Sequence, residues 1–246
     1  MHMSGENGYV SNYLIHWAGK DKSPEERVSV LSRIATTCRL RLSKNELFFD
    51  GSLGIDEKMV CFTDVPLAHS EQHCAKYSRF GIAFNKLQLM GKGAQPVFYF
   101  THIYKQDIGK IYRFVLDEIN EPTLDPRIVE ALHRHFYFMK EFAQERADRH
   151  DTAYYEREWR IGEPCLRPKE QDEERWYLEH DWHPPTLGTL VTEGDEKYFE
   201  FEQADVAFLV APNEFIAQIS NPNQFDVKSY ETLLGTGKGF GAGRTL

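Results

Sequence analysis

Six residues at positions 80–85, FGIAFN, alternate large side chains with small ones. Because successive side chains of a β-strand point to opposite faces, Phe80, Ile82 and Phe84 share one face of this stretch. The other face carries Gly81 and Ala83, so a neighbouring element can lie close against it. The pattern predicts a strand inside a sheet, and other stretches of the chain must supply its partners.

Further strands are predicted at 9–17, 58–63, 96–104 and 154–161, and late in the chain over KYFEFE and DVAFLVAP. Ser23, Pro24 and Glu26 form the signature of a capping box at the start of a helix. Two more helices are predicted over 66–78 and from about 126 to about 148. The order of these elements favours an α+β fold, with a mixed β-sheet and flanking helices.

We expect one α+β domain over residues 1–233, since no convincing linker divides the chain. Residues 163–188 are rich in charge and proline, which favours a lid or an excursion from the domain. The glycine-rich residues 234–246 are expected to form a flexible tail. This tail lacks the Ser/Thr and the helix that a phosphate-binding loop requires.

Composition limits the classes of function. The chain of 246 residues has a net charge of -9, which disfavours a broad phosphate-binding surface. Its four cysteines form no close-spaced pairs and no signal peptide is evident, so we expect a reduced, cytoplasmic protein. Since no apolar run is long enough to cross a bilayer, we expect no association with a membrane.

The stretch YYEREWRI at 154–161 concentrates charge on a predicted strand. Glu156, Glu158 and Arg160 alternate onto one face of it. Two carboxylates on one strand face either lie in solvent, as on many edge strands, or line a pocket. In a pocket their repulsion would raise one pKa, unless a cation such as Arg160 neutralises part of it.

Polar residues also mark earlier elements of the predicted sheet. His16 lies on the first strand, and Thr63 ends the strand at 58–63. Tyr77 and Phe80 follow as the nearest aromatic residues. Taken singly, His16 fits a satisfied core histidine, and Tyr77 and Phe80 fit core aromatics. Their combination with the later Glu-x-Glu pair is less ordinary.

In combination these residues resemble the ADP-ribosyltransferases, whose split sheet binds NAD in a central cleft. The resemblance implies that His16 holds a ribose and that Thr63 takes the middle-strand hydroxyl position. Tyr77 or Phe80 would pack on nicotinamide. The chain has Phe62, Thr63 and Asp64 where that group often carries Ser-Thr-Ser.

The same resemblance implies that Glu158 is the catalytic carboxylate and Glu156 the assisting one. Cleavage of the bond between nicotinamide and ribose passes through an oxocarbenium-like species, which a nearby carboxylate stabilises. A second carboxylate can position or deprotonate the attacking group. The acceptor would be a protein or a nucleic acid.

Five blocks in order, YVSNYLIHW, VCFTDVPLAHSEQH, YSRFGIAFNK, GAQPVFYF and YEREWRI, are similar to the AbiGi-type abortive-infection family of bacteria. That resemblance implies a role in phage defence, often within a two-component toxin–antitoxin locus, and the family is commonly labelled the antitoxin. The label supplies no chemistry of its own.

Two alternatives remain open beside the ADP-ribosyltransferase hypothesis. A non-catalytic antitoxin would bind and neutralise a cognate toxin, with the acidic and aromatic residues 171–183 covering a basic partner. A metal-dependent nuclease would use His69, His73, Asp64 and the two glutamates. The histidine and cysteine spacings match no zinc-site pattern, and so we predict no metal site.

Overall fold

The structure is a computed structural model that describes residues 11–44, 47–48, 54–55, 58–121, 123–141, 143–146, 149–152, 157–169 and 188–235. These residues form a mixed α/β chain with several helices and mixed sheets. The helices are α1 (Pro24–Thr37), α2 (Glu71–Lys76), α3 (Lys86–Gly91), α4 (Lys105–Asn120), α5 (Pro126–Phe136) and α6 (Tyr230–Gly235).

The strands are short and run through the whole described chain. They are β1 (Tyr13–Trp17), β2 (Arg39–Arg41), β3 (Ser43–Lys44), β4 (Leu47–Phe48), β5 (Gly54–Ile55), β6 (Lys58–Thr63), β7 (Gly81–Asn85), β8 (Gln95–Pro96), β9 (Phe98–Phe100), β10 (Met139–Glu141), β11 (Ala143–Arg146), β12 (Arg149–Thr152), β13 (Glu158–Gly162), β14 (Leu166–Pro168), β15 (Gly188–Glu193), β16 (Glu196–Glu200), β17 (Val206–Ala211) and β18 (Val227–Ser229).

Two compact units divide the described residues. The first contains the residues up to Leu40, Phe62–Leu89 and the residues from Phe201 onward, and the second contains Arg41–Cys61 and Met90–Glu200. The expectation of one domain over 1–233 stays a prediction. No described helix combines the length and the apolar character needed to cross a membrane.

A sheet forms the centre of the first unit. Strand β7 pairs antiparallel with both β1 and β17, and β18 runs parallel to β17. The predicted small face of β7 is confirmed, because a side chain added at Gly81 would lie 2.9 Å from the Trp17 ring. The rings of Phe62 and Phe201 pack edge-on against the fully buried Phe84.

In the first unit, one helix agrees with its prediction from the sequence and another differs from it. The Ser23 side chain accepts from the Glu26 N–H and the Glu26 carboxylate accepts from the Ser23 N–H, so the capping box is confirmed. The single helix predicted over 66–78 is wrong. A 3-10 turn (Leu67–His69) precedes the shorter α2, and the buried Ser70 between them has ψ near zero and accepts from the Cys74 thiol.

The second unit holds a core cluster beneath α4 and α5. Its buried members include Tyr112 and Val115 of α4, Val129 of α5, and Tyr137 after it. Strand β13 pairs antiparallel with β8, and β10 pairs parallel with β9. A separate set of paired strands, β14, β15 and β16, continues this unit.

Two sequence predictions in this unit require correction, and one helix was missed. The strand predicted over 96–104 divides into β8 and β9 and stops at Phe100. The helix α4 was not predicted at all. The helix predicted over about 126–148 ends at Phe136, and strands β10 and β11 occupy the residues that follow.

The two strands predicted late in the chain, over KYFEFE and DVAFLVAP, are confirmed as β16 and β17. Residues 213–218 form a 3-10 helix. Of the segment 163–188, residues 163–168 form a 3-10 turn and β14, and residues 170–187 lie outside the described residues. Residues 236–246 of the predicted tail also lie outside them.

Candidate functional site

Glu158, the predicted catalytic carboxylate, is the first residue of β13 and is only 6% exposed. Its Oε1 accepts a hydrogen bond of 2.7 Å from Arg160 Nε, and its Oε2 accepts one of 2.5 Å from Lys140 Nζ. Arg160 follows two residues later on the same strand, so the predicted shared face of these two side chains is confirmed. Each carboxylate oxygen is therefore engaged by a cation.

Arg160 is fully buried and ties two strands together. Its Nη1 donates to the carbonyl oxygens of Tyr137 at 2.7 Å and Met139 at 3.1 Å. Its Nη2 has no hydrogen-bond partner within the described part of the chain. The guanidinium thus joins the carboxylate of β13 to the backbone at the start of β10, and its position is fixed by three hydrogen bonds.

The backbone and the thiol beside Glu158 complete this cluster. The Glu158 N–H donates to the Tyr99 hydroxyl at 3.0 Å, and its carbonyl accepts from the Val97 N–H at 2.9 Å. Burial raises the pKa of the Cys61 thiol, and the negative charge of Glu158 raises it further. Cys61 therefore stays protonated at neutral pH, which is unsuited to nucleophilic chemistry.

Two opposing effects set the protonation of Glu158. Burial alone would raise its pKa, but the charges of Arg160 and Lys140 and their hydrogen bonds outweigh burial and hold the pKa below its usual range. The group is ionised at neutral pH. Because Glu158 and Arg160 each favour the charged form of the other, the pKa of Arg160 is raised.

This lowered pKa predicts how stability depends on pH. A carboxyl group whose pKa is lower in the folded state stabilises the fold above its ordinary pKa, and the stabilisation is lost as the pH falls through the folded value. We expect the difference in free energy of unfolding between wild type and Glu158→Gln to narrow below about pH 4.5. Urea denaturation of both proteins across a pH series measures it, and a difference that does not vary with pH would contradict the ion pairs.

The predicted cofactor-binding residues lie in the first unit, whereas Glu158 lies in the second. Strand β1 pairs with β6 so that Ile15 stands opposite Thr63. Directly opposed residues point to the same face of a sheet, so the side chains of Ile15 and Thr63 share one face. The side chain of His16, the next residue along β1, points to the other face, where its ring contacts Phe62. The sheet therefore does not bring the side chains of His16 and Thr63 together. Their roles in binding NAD stay predictions.

The two candidate aromatics differ in accessibility. Phe80 is 2% exposed and packs against Phe215 at a centroid distance of 5.5 Å. Tyr77 is half-buried, and the ammonium groups of Lys20 and Lys76 each lie 5.5 Å from the centre of its ring. Of the two, Tyr77 is the aromatic that a ligand could reach.

The remaining candidate residues fall into two groups. Glu156, the predicted assisting carboxylate, lies outside the described residues. Asp64, named for the nuclease hypothesis, is held by Lys86 Nζ at 2.6 Å. In the described ranges, no three His, Cys, Asp or Glu side chains come close enough together to hold a metal ion.

A second feature lies on the outside of the second unit, where α4 and α5 form a helical hairpin. Ile111 and Phe114 of α4 are 52% and 48% exposed, and Ile128 and Leu132 of α5 are 53% and 37% exposed. Spacings of three and four residues place each pair on one side of its helix. Four more large apolar residues are exposed nearby: Ile103 and Tyr104 in the 3-10 turn before α4, Ile119 near the end of α4, and Leu124 in the connection to α5. We call these eight residues the α4–α5 face.

Sequence reasoning missed two parts of these sites. Lys140 was assigned to the helix expected at 126–148, and no motif marks it as a partner of Glu158. The α4–α5 face was missed because α4 was not predicted. The signal was present, since Ile108, Tyr112 and Val115 follow the helical spacing of a buried stripe.

Comparison with known proteins gives one match. A family model described as "Putative abortive phage resistance protein AbiGi, antitoxin" matches residues 53–170, which are 118 of the 246 residues. The match contains Glu158, Lys140 and Arg160 as well as the whole α4–α5 face, and the resemblance to AbiGi is confirmed over this range. No curated protein and no solved structure matches the chain.

Proposed function

We propose that this chain acts in abortive phage resistance as an antitoxin that neutralises a cognate toxin by binding it. The description of the matching family model supports the role. The observation that carries a binding mechanism is the α4–α5 face, which lies within the matched range. Large exposed apolar surfaces on monomeric proteins commonly mark sites where another molecule binds.

The cluster around Glu158 is consistent with this role. Both oxygens of its carboxylate accept hydrogen bonds, one from the buried Arg160 and one from the partly buried Lys140, so the group serves the packing of β13 against β10. Two cations beside the carboxylate offset its negative charge, which weakens its attraction for a positively charged substrate atom. The residue contributes to the fold that presents the α4–α5 face.

A growth assay tests the proposal. The chain is co-expressed in a bacterial host with each gene that flanks its own, under separate promoters, to find the product that arrests growth. We expect the wild-type chain to restore growth, and Ile111→Asp together with Phe114→Asp to abolish the rescue, since a charge buried in an apolar interface is costly.

Gln106→Asp is the control for each substitution, because it adds the charge of one Asp to an exposed polar position of α4. This variant should rescue growth as wild type does. Circular dichroism melting shows whether the double variant is folded. A folded double variant that still neutralises the toxin would exclude the α4–α5 face as the binding surface, and a wild-type chain that rescues no growth arrest would exclude the antitoxin role.

A second candidate function is NAD-dependent ADP-ribosyl transfer to a protein or a nucleic acid. The observation that favours it is that Glu158 is ionised in a buried position, as stabilisation of an oxocarbenium-like species requires. The cations beside the accessible Tyr77 ring would suit a dinucleotide. We rank it second because Lys140 and Arg160 already pair with Glu158 and offset the negative charge that such a reaction would use.

Calorimetry with NAD, followed by incubation with labelled NAD and candidate acceptors, tests this second function. Transfer by wild type that is lost in Glu158→Gln and weakened in Tyr77→Ala would support it. Absence of NAD binding by the folded wild-type protein would exclude it.

A further inference from the structure

We propose that, when the cognate toxin is absent, the α4–α5 face is covered by the same face of a second copy of this chain. The proposal of a homodimer depends only on the properties of the α4–α5 face. If the chain is also an antitoxin that binds through this face, the toxin and the second copy compete for the same surface; this consequence rests on the proposed function.

The size of the α4–α5 face fits one half of a dimer interface. With an accessible area of roughly 200 Å² for a large side chain, the exposed fractions of its eight residues amount to roughly 800 Å². This value is about one partner's share of a standard-size interface.

The charges of the hairpin do not oppose self-association. Lys110 pairs with Asp107 at 3.0 Å, and Arg127 pairs with Asp125 at 2.6 Å. A third pair joins Arg134 to Glu130 at 3.6 Å. Each pair joins neighbouring residues of one helix or its cap, so charges of both signs alternate across the hairpin. In a symmetric dimer each face meets its own copy, and such a surface brings no excess of like charge together.

The same balance disfavours a strongly charged occupant. A surface selected for nucleic acid would carry an excess of basic side chains, and one selected for a basic protein would carry an excess of acids. The hairpin instead carries three pairs of opposite charge. The apolar side chains are then the main source of binding energy, and an equally apolar helical face is the matching partner.

The hairpin is also held in one conformation before it binds. The Glu118 carboxylate accepts hydrogen bonds from the Thr123 N–H, the Thr123 hydroxyl and the Leu124 N–H, which fixes the connection between α4 and α5. The rings of Tyr112 and Phe136 meet at 4.8 Å between the helices. A preorganised surface loses little conformational entropy on association, which favours a stable dimer.

Sedimentation equilibrium of the full-length protein over a range of micromolar concentrations tests the proposal. We expect wild type to sediment with twice the mass of the chain. Ile111→Asp and Phe114→Asp, made singly, should each weaken dimerisation about tenfold or more. Gln106→Asp should dimerise as wild type does, and circular dichroism melting verifies that every variant is folded.

Two results would overturn the homodimer. One is a wild-type protein that stays monomeric at every concentration. The other is a dimer whose dissociation constant is unchanged in both folded Asp variants. Flotation with anionic and neutral lipid vesicles adds a third arm, because binding of monomer to vesicles that Ile111→Asp abolishes would make a lipid surface the occupant instead.

The growth assay separates this proposal from the proposed function. If wild type is monomeric but the Asp variants lose neutralisation, the homodimer is overturned and the antitoxin role stands. If the variants become monomeric yet neutralise normally, the homodimer is supported and the toxin must bind elsewhere.

Discussion

Glu158→Ala is expected to lower the free energy of unfolding by about 3–5 kcal/mol. The substitution leaves the fully buried Arg160 and the nearly buried Lys140 without the carboxylate that faces both. Removing one partner of a buried ion pair is costly because the remaining charge stays in a medium that solvates it poorly. Urea denaturation followed by tryptophan fluorescence measures the change.

Two comparisons make this result specific. Glu196→Ala removes another carboxylate that faces an arginine, but Arg41 and Glu196 are both exposed, so we expect a loss below about 1 kcal/mol. The double variant Glu158→Leu with Arg160→Met removes the two fully or nearly fully buried charges and should recover part of the stability that Glu158→Ala loses, since Lys140 and the carbonyls bonded by Arg160 still lose their partners. Equal losses for Glu158→Ala and Glu196→Ala would contradict the buried cluster.

A conservative substitution of the same residue distinguishes the two candidate functions. An antitoxin needs Glu158 only for folding, so the conservative Glu158→Gln should neutralise the toxin wherever it is folded. A transferase needs the negative charge itself and should lose its activity in a folded Glu158→Gln. Thermal melting and an activity assay of Glu158→Gln therefore show whether Glu158 has a structural role or a catalytic one.

The strand at 158–162 shows what the sequence could predict about the site. Alternation alone placed Glu158 and Arg160 on one face and led to the expectation that Arg160 neutralises Glu158. Lys140 could not be found in the same way, because it comes from a distant strand. The predicted helix stops at Phe136, and the carbonyls of Tyr137 and Met139 accept from Arg160 rather than from a further helical turn.

The cofactor hypothesis shows a different limit of the sequence. His16 and Thr63 were named from their places in order along the chain, which do not fix the register between β1 and β6. In the structure Ile15 stands opposite Thr63, and a shift of one residue reverses the face of every side chain. Residue types in the right order therefore do not establish a shared pocket.

The first unit has a core that the sequence predicted well. Phe80, Ile82 and Phe84 were placed on one face of a strand, and all three are buried. Local alternation was enough, because the small residues between them leave room for a neighbouring ring. It could not name the partners of Phe84, which come from β6 and from the segment before β17.

Phe84→Ala is accordingly expected to lower the free energy of unfolding by about 3–5 kcal/mol. Phe84 is fully buried, and its ring centre lies 5.7 Å from that of Phe62 and 5.0 Å from that of Phe201. Truncation leaves a cavity between two aromatic edges on a rigid sheet that cannot close around it. The exposed Phe98 provides the same substitution at the surface, where we expect a loss below about 1 kcal/mol. Urea denaturation of both variants measures the contrast, and equal losses would show that Phe84 is not in the core.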